Sequence, residues 1–550
     1  MAIGIQNGEF GSSVRAKLNA LLTSVTDVFG QGGQTIVSAY DYYCDSRRGS
    51  DANDGLTPAT AKRTIAAVQA LAGGVNGARI GLARGSSWRE QLSLTGNDQE
   101  VGSYGLVSDA RPSLRADDPL VPGLWTLSSG KTYTYQQSIV LPSASGKQWV
   151  NAWENGSQLT FVADVTAVEA TAGSYTVSTQ TNSGGTVSSS TQTIYVHPAA
   201  NDDPRTNGKL YEYSKRLYGL TSTGQRATIH GIETRRNSHH DGSFVLYGFD
   251  NFVFDCAALS GAKHNMFVTS GTVSSCLIQE QYYGTTSADL LVFYGTGVTG
   301  KSAMCQYSTL SRSTYNAAAN VNAVYSHTDG ATNYDTLNVV GCAITNVTNG
   351  MNGTTGGPAN VNFVGNVLVG TVNAVAYSPT GALTVKNNRI TTSATNAGLV
   401  NLQTAFTSAD ISGNQVWTYD PFSIISITPP SGSPTINITN NILYVGNQSA
   451  GAPSTPVYVT RGNLTMTGNV FDSAGNWSGR VLDISVTSLV ADNNIYAGSQ
   501  GGQYAVTING TMLGGGTLSG WSAYKTAANA AGLELNSVTA SSGSYAGAVM

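Results

Sequence analysis

Six segments in the second half of the chain share one pattern: FVGNVL, TVKNNRI, ISGNQV, ITNNIL, MTGNVF and ADNNIY. In each, a short strand-like run meets Gly or Asn, then Asn, then a second apolar run. The second small residues are Asn366, Asn388, Asn414, Asn441, Asn469 and Asn494, at successive spacings of 22, 26, 27, 28 and 25. Upstream, VGCAI, SSCLI and FDCAA put Cys342, Cys276 and Cys256 in the same slot, and AMCQY offers Cys305. A unit of this length cannot bury its own apolar face, but units stacked in parallel about 4.8 Å apart share a continuous core. Hairpins of a β-sandwich would give shorter and less regular spacings. Tight corners need left-handed backbone, which Asn tolerates, and stacked Asn side chains hydrogen-bond along the axis. A buried Cys can fill the same slot as a small apolar residue. The pattern predicts an all-β chain, a parallel β-helix (solenoid) of right-handed type. About eleven coils fit between His230, read as a further slot, and Asn494, giving a stack on the order of 50 Å.

Composition agrees. Gly is abundant, with 64 of 550 residues, and charged residues make up only 11%. Long helices are disfavoured by such a mixture and short strands favoured. Net charge is −4 with no basic run, so nucleic acid is not an expected partner. No stretch has the length to span a membrane. The five cysteines, Cys44, Cys256, Cys276, Cys305 and Cys342, are odd in number and lack zinc-ligand spacing, so neither a disulfide framework nor a metal centre is expected. The opening MAIGIQNGEFGSS does not read as a secretory leader. Synthesis in a cytoplasm with the composition of an extracellular β protein fits a phage virion protein, released by lysis.

The chain divides into a helix for virion docking or oligomerisation (1–35), a capping region (36–120), a β-rich insertion (121–225), the coils (226–500) and a C-terminal cap (501–550). In the first piece Val14, Leu18, Leu21, Leu22, Val25 and Val28 share a helical stripe, followed by a Gly30–Gly33 joint. Asp51, Asn53 and Asp54 could hold calcium, but their spacing is that of an ordinary turn and no cofactor is expected. Ala61–Ala72 reads as a helix that covers the open end of the stack.

The runs GSDANDGLTPATAKRTIAAV, ARIGLARGSSWREQLSL and YGLVSDARPSL resemble the opening region of pectate-lyase-like right-handed β-helix proteins. That group includes polysaccharide lyases, glycoside hydrolases and phage tailspikes. LSGWSAYKTAANAAGLELNSV resembles the end of such proteins, and GEFGSSVRAKLNALL is similar to the starts of phage tail proteins. The resemblance implies a tailspike in the phage tail, usually a homotrimer, attached to tail or baseplate proteins. It would bind, and cleave by hydrolysis or uronate elimination, a bacterial surface polysaccharide. The alternative is a non-enzymatic virion fibre or receptor-binding protein with the same fold. No catalytic motif of the lyases or hydrolases matches residue for residue.

Chemistry-bearing residues are uneven along the coils. Residues 226–335 hold 14 charged side chains, 8 of them carboxylates, and 5 of the 6 histidines, whereas residues 336–500 hold 9 charged side chains and no histidine. Glycoside hydrolysis needs two carboxylates, and uronate elimination needs a base and a cation. The candidate catalytic groups are Glu280, Asp241, Asp289 and His264. The candidate substrate-binding groups are Arg235, Arg236, His239, His240, Tyr282, Tyr283 and His327, with Lys263 beside them. Asp202 and Asp203 read as a surface turn.

Overall fold

The computed structural model describes residues 40–142, 148–180, 190–281, 288–294, 300–312, 321–327, 334–353, 358–377, 379–392, 398–418, 423–445, 455–473, 480–497 and 503–540. The expected helix at 14–29 and its glycine joint lie outside them. The chain is a right-handed parallel β-helix whose coils each run through three sheets. Asn251–Phe254 lies in sheet I, Ala257–Gly261 in sheet II and His264–Val268 in sheet III, and the next coil repeats the order with Gly271–Ser274, Leu277–Gln281 and Ala288–Tyr294. Among the described residues, sheets I and II have 14 strands and sheet III has 15. Equivalent side chains stack: Val273 pairs with Val253, Ile278 with Ala258 and Leu291 with Met266. Strands read as the alternation demands. In Thr435–Thr439, Ile436 and Ile438 are buried and the threonines face outward. Burying each such side chain contributes about 2 kcal/mol.

The corner between sheets I and II explains the repeat. Its first residue has positive φ, as at Asp255 (52°), Gly341 (63°), Asn387 (54°) and Asn440 (56°). The left-handed strain therefore falls on the first small residue, and the second turns inward. Asn388 Oδ1 accepts from the Asn366 N–H at 2.9 Å and from its Nδ2 at 3.0 Å. The same double bond recurs through Asn414, Asn441, Asn469 and Asn494. The column ends where Asn494 Nδ2 donates to the fully buried Glu534, at 3.2 Å.

Two slots differ from expectation. Cys305 sits within the sheet I strand Ser302–Gln306, and Ser308 holds the slot, its hydroxyl accepting from the Cys276 N–H at 3.1 Å. His230 is also a strand residue. It stacks on Phe254 at 4.7 Å and bonds Glu100 at 3.0 Å, while the buried Ile232 takes the slot.

All five cysteines are free and buried. The Cys305 and Cys342 sulfurs are 3.7 Å apart, too far for a bond of about 2.05 Å. Burial pushes the Cys44 and Cys256 thiols up. A thiol reagent is therefore expected to leave the native protein unmodified and to titrate five thiols after denaturation. Rapid native labelling of Cys256, Cys276 or Cys342 would contradict their placement.

The stack begins before the repeat becomes visible, with Tyr42–Cys44, Arg79–Ala83 and Glu100–Tyr104 as the first strands of sheet I. The helix Ile65–Ala72 packs Ile65, Val68 and Ala72 into the same core. Thr64 caps it, and Asp51 accepts from the Arg63 and Thr64 N–H groups at 2.9 Å. Lys62 Nζ lies 2.9 Å from the Asp51 carbonyl, so an ammonium occupies the turn read as a calcium candidate. The helix Trp521–Ala530 packs Tyr524 and Ala528 into the core at the other end. Among the described residues no helix is long and apolar enough to cross a membrane.

The insertion leaves sheet II after Ser113–Arg115 and rejoins sheet III at Leu220–Ser222. It carries a four-stranded and a five-stranded sheet around its own core, which includes Trp125, Tyr175 and Tyr211. Its strand Asp117–Pro119 already belongs to the four-stranded sheet, so it begins earlier than residue 121.

Candidate functional site

Successive coils turn from sheet II to sheet III at one corner, and the insertion occupies that corner in the coil before His230. The next such turn, residues 236–243, passes directly under it. There the Trp149 N–H donates to the Ser238 carbonyl at 2.7 Å and Gln148 pairs with His239. The His240 ring is 5.4 Å from Trp149 and 4.9 Å from His264, one coil on.

Two linked groups form the centre. Asp241 accepts from the Tyr247 hydroxyl at 2.6 Å, and Tyr247 in turn contacts the Tyr218 hydroxyl at 3.1 Å. Asp241 also lies 3.3 Å from His240 Nδ1, while Lys263 Nζ is 2.5 Å from His240 Nε2. An ammonium can only donate, so Nε2 accepts and the His240 proton belongs on Nδ1, facing Asp241. In the second group, His264 Nδ1 lies 3.2 Å from Asp289 Oδ2, and Asp289 Oδ1 accepts from Asn322 Nδ2 at 2.6 Å.

Burial depresses the His240 pKa from 6.5 to about 4, with His264 and Lys263 adding to the effect against Asp241. For Asp241, burial acts upward. Hydrogen bonds from His240 and Tyr247 and the nearby imidazoles outweigh it and hold the carboxyl below its usual range. Burial and the Asp241 charge raise Tyr247. Both His240 and Asp241 have folded pKa values below their unfolded ones, so each binds fewer protons when folded. Stability contributed here is complete above about pH 6.5 and falls as pH drops toward about 4, where His240 titrates. Unfolding measured across that window should show the decline, and His240→Gln should flatten it.

An aromatic strip runs from this centre along the outer face of sheet III. Val245, Phe267, Val292 and Tyr325 stack in register. Tyr247 to Phe267 is 5.6 Å, Phe267 to Tyr294 is 5.1 Å and Tyr294 to His327 is 5.2 Å between ring centres. Tyr247 is 37% exposed. Val245, Phe267 and Val292 are themselves buried, and the tyrosines packed against them supply the apolar faces with polar edges that a sugar ring fits.

The structure thus brings together His239, His240, Asp241, Lys263, His264 and Asp289, and puts His327 on the strip. It does not bring Arg235 and Arg236 to them, correcting that expectation. Arg235 pairs with Glu233. Arg236 is buried and bridges Asp117, at 3.1 Å, and Glu212, both from the insertion. Arg115 and Arg89 bind the same Glu212 at 2.6 and 2.5 Å, so this network fastens the insertion to the stack. Glu280 lies on the strand Leu277–Gln281, but its side chain, Tyr282 and Tyr283 fall outside the described residues. Asp202 and Asp203 pair with Lys209 and Arg205 in the insertion. Residues not anticipated are Trp149, Tyr218, Tyr247, Phe267 and Tyr294, and the Asn322, Asn349 and Asn373 column.

Chemically, the centre offers a neutral imidazole and an ammonium beside a hydroxyl. Among the described residues it is not a pair of open carboxylates, because Asp289 is only 1% exposed, lies against His264 and accepts from Asn322. Among the described residues no cluster of His, Cys, Asp or Glu could hold a metal ion.

No protein-family model matches the chain, and no curated protein does. Among solved structures, the complex of XylC with xylose superposes with a TM-score of 0.51 at 11% identity, over 85% of each chain. A glycoside hydrolase gives 0.34 at 10% identity, over 86% of this chain and 95% of its own. The tailspike protein gp49 from Pseudomonas phage LKA1 gives 0.25 at 13% identity, over 81% of this chain and 73% of its own. Only the first is close enough in shape to bear on the architecture, and at that identity it speaks to fold alone: this chain is built as a right-handed parallel β-helix.

Proposed function

We propose that this protein is a phage tailspike that binds a bacterial surface polysaccharide along sheet III and depolymerises it at the corner below the insertion. One observation carries the reading: the His240 and His264 imidazoles, 4.9 Å apart and each beside a carboxylate, stand at the head of an aromatic strip. The chemistry it favours is β-elimination from a carboxylated sugar. Lys263 is placed to neutralise the sugar carboxylate, an imidazole to take the C5 proton and Tyr247 to protonate the leaving oxygen. Hydrolysis would call for a second open carboxylate. The virion location rests on the resemblance of GEFGSSVRAKLNALL to phage tail proteins, with tail or baseplate proteins and two further copies of the chain as partners.

Incubation with capsules and lipopolysaccharides from candidate hosts, followed by sizing of the products, tests the activity. Shortened chains carrying the ultraviolet absorbance of an unsaturated uronate are expected. New reducing ends without that absorbance would replace elimination by hydrolysis. Binding without shortening would favour the non-enzymatic fibre. Light scattering should give a homotrimer, and a monomer at micromolar concentration would refute that part.

A further inference from the structure

Besides the Asn column at the first corner, a second buried column stands at the corner between sheets II and III. Its members are in register: His264 with Asp289, Asp289 with Asn322, Asn322 with Asn349, and Asn349 with Asn373. His264, Asp289, Asn322 and Asn349 are all less than one-tenth exposed. Asn373 Nδ2 donates to Asn349 Oδ1 at 3.1 Å, Asn349 Nδ2 to Asn322 Oδ1 at 2.7 Å, and Asn322 Nδ2 to Asp289 Oδ1 at 2.6 Å. The column stops where Gly398 takes the next register position.

The polarity of this column is fixed. An ionised carboxylate only accepts, so Asn322 must present its amide nitrogen to Asp289. Its oxygen then faces Asn349, which must present nitrogen in turn. The first column runs the opposite way, its amides donating toward Glu534 at the C-terminal end. Each column thus delivers its donors to one buried carboxylate. Glu534 spends its oxygens on Asn494, Tyr496 and Tyr524 at the closing end of the stack. The second Asp289 oxygen lies 3.2 Å from His264 Nδ1, a close charged contact outside hydrogen-bond alignment, and its negative charge disfavours a lone pair on that nitrogen.

We propose that Asn322, Asn349 and Asn373 are positioning residues that hold Asp289 against His264 and so fix the His264 proton on Nδ1, leaving Nε2 as the accepting atom. This rests on the reading of the corner as the site of cleavage. Three aligned amides polarise one another and make Asp289 an oriented acceptor. The partner at one ring nitrogen then decides what the other can do. His264 Nε2 is the atom left to accept a proton.

The test reads the His264 tautomer itself. Nitrogen-15 spectra of histidine-labelled protein contain six imidazoles, and loss of a signal in His264→Gln assigns the one of interest. The parent protein should show a single Nδ1–H form. Asn322→Leu keeps the volume but removes the donor, and should convert that signal to a mixture. Asn322→Ser, which retains a donor, should restore it in part. Asn349→Leu, one coil further off, should give a smaller change of the same kind and serves should Asn322→Leu fail to fold. In parallel, kcat of Asn322→Leu should fall on the order of 10-fold with KM unchanged. An unchanged His264 signal in folded Asn322→Leu or Asn349→Leu overturns the proposal. A shifted signal in a protein whose parent cleaves no polysaccharide supports the positioning and refutes the cleavage reading.

Discussion

The His264→Gln variant is expected to cleave polysaccharide on the order of 10²-fold more slowly than the parent protein, or worse, while keeping its fold. Glutamine can still offer an amide N–H to Asp289, so the carboxylate 3.2 Å away does not lose its partner. What disappears is the nitrogen able to take a proton. Lys263→Met should lower the rate by a comparable factor, because it removes the cation beside His240 while its half-exposed stem is replaced in kind. Asp241→Asn should lose less, since its part is to hold His240 and Tyr247. Asp483→Asn is the control. Its carboxylate pairs with Arg480 on a late coil far along the chain from this corner, and its rate should equal the parent's. Full activity in His264→Gln would remove the imidazole from the chemistry.

The second large effect is on stability. Asn414→Ala should cost about 3 kcal/mol or more. Asn414 Oδ1 accepts from the Asn388 N–H at 3.0 Å and from its Nδ2 at 2.9 Å, and Asn414 Nδ2 donates to the Val385 carbonyl and Asn441 Oδ1, both at 2.9 Å. Truncation leaves two buried donors on Asn388 without this acceptor and opens a cavity between coils. An unsatisfied buried group costs about 1–3 kcal/mol, where an exposed substitution costs about 0.5. Thr465→Ala, outward on sheet I, is the matching control. Denaturant unfolding of the two variants should separate by the full difference. Equal midpoints would mean that the ladder marks the corner without holding it.

These two predictions rest on features of unequal legibility. The Asn slots could be read directly, because a buried amide that bonds its neighbour one coil away must recur at the coil period. Cys305 could not be told from Ser308, because both are small, lie three residues apart and fit that period equally. His230 was misplaced because its coil fills the slot with Ile232, which leaves no polar mark. The crowding of His239, His240, Asp241, His264 and Asp289 followed from stacking alone, since residues one coil apart become neighbours. Arg236 was beyond reach: its partners Asp117 and Glu212 come from an insertion whose folding back no local pattern announces. The Asn322, Asn349 and Asn373 column recurs at the same period as the first, yet Asn is so common in turns here that a second column is hidden among them. The aromatic strip is visible in the sequence only at His327. Tyr247 and Phe267 join it through the pairing of sheet III, not through spacing.

The measurement that bears most directly on the site is a crystal structure of His264→Gln soaked with an oligosaccharide of the polysaccharide that the parent protein shortens. The sugar rings should lie on Tyr247 and Tyr294, with a sugar carboxylate at Lys263 and the scissile bond beside residue 264. An oligosaccharide bound elsewhere, on sheet I or within the five-stranded sheet of the insertion, with the corner empty, would contradict the account.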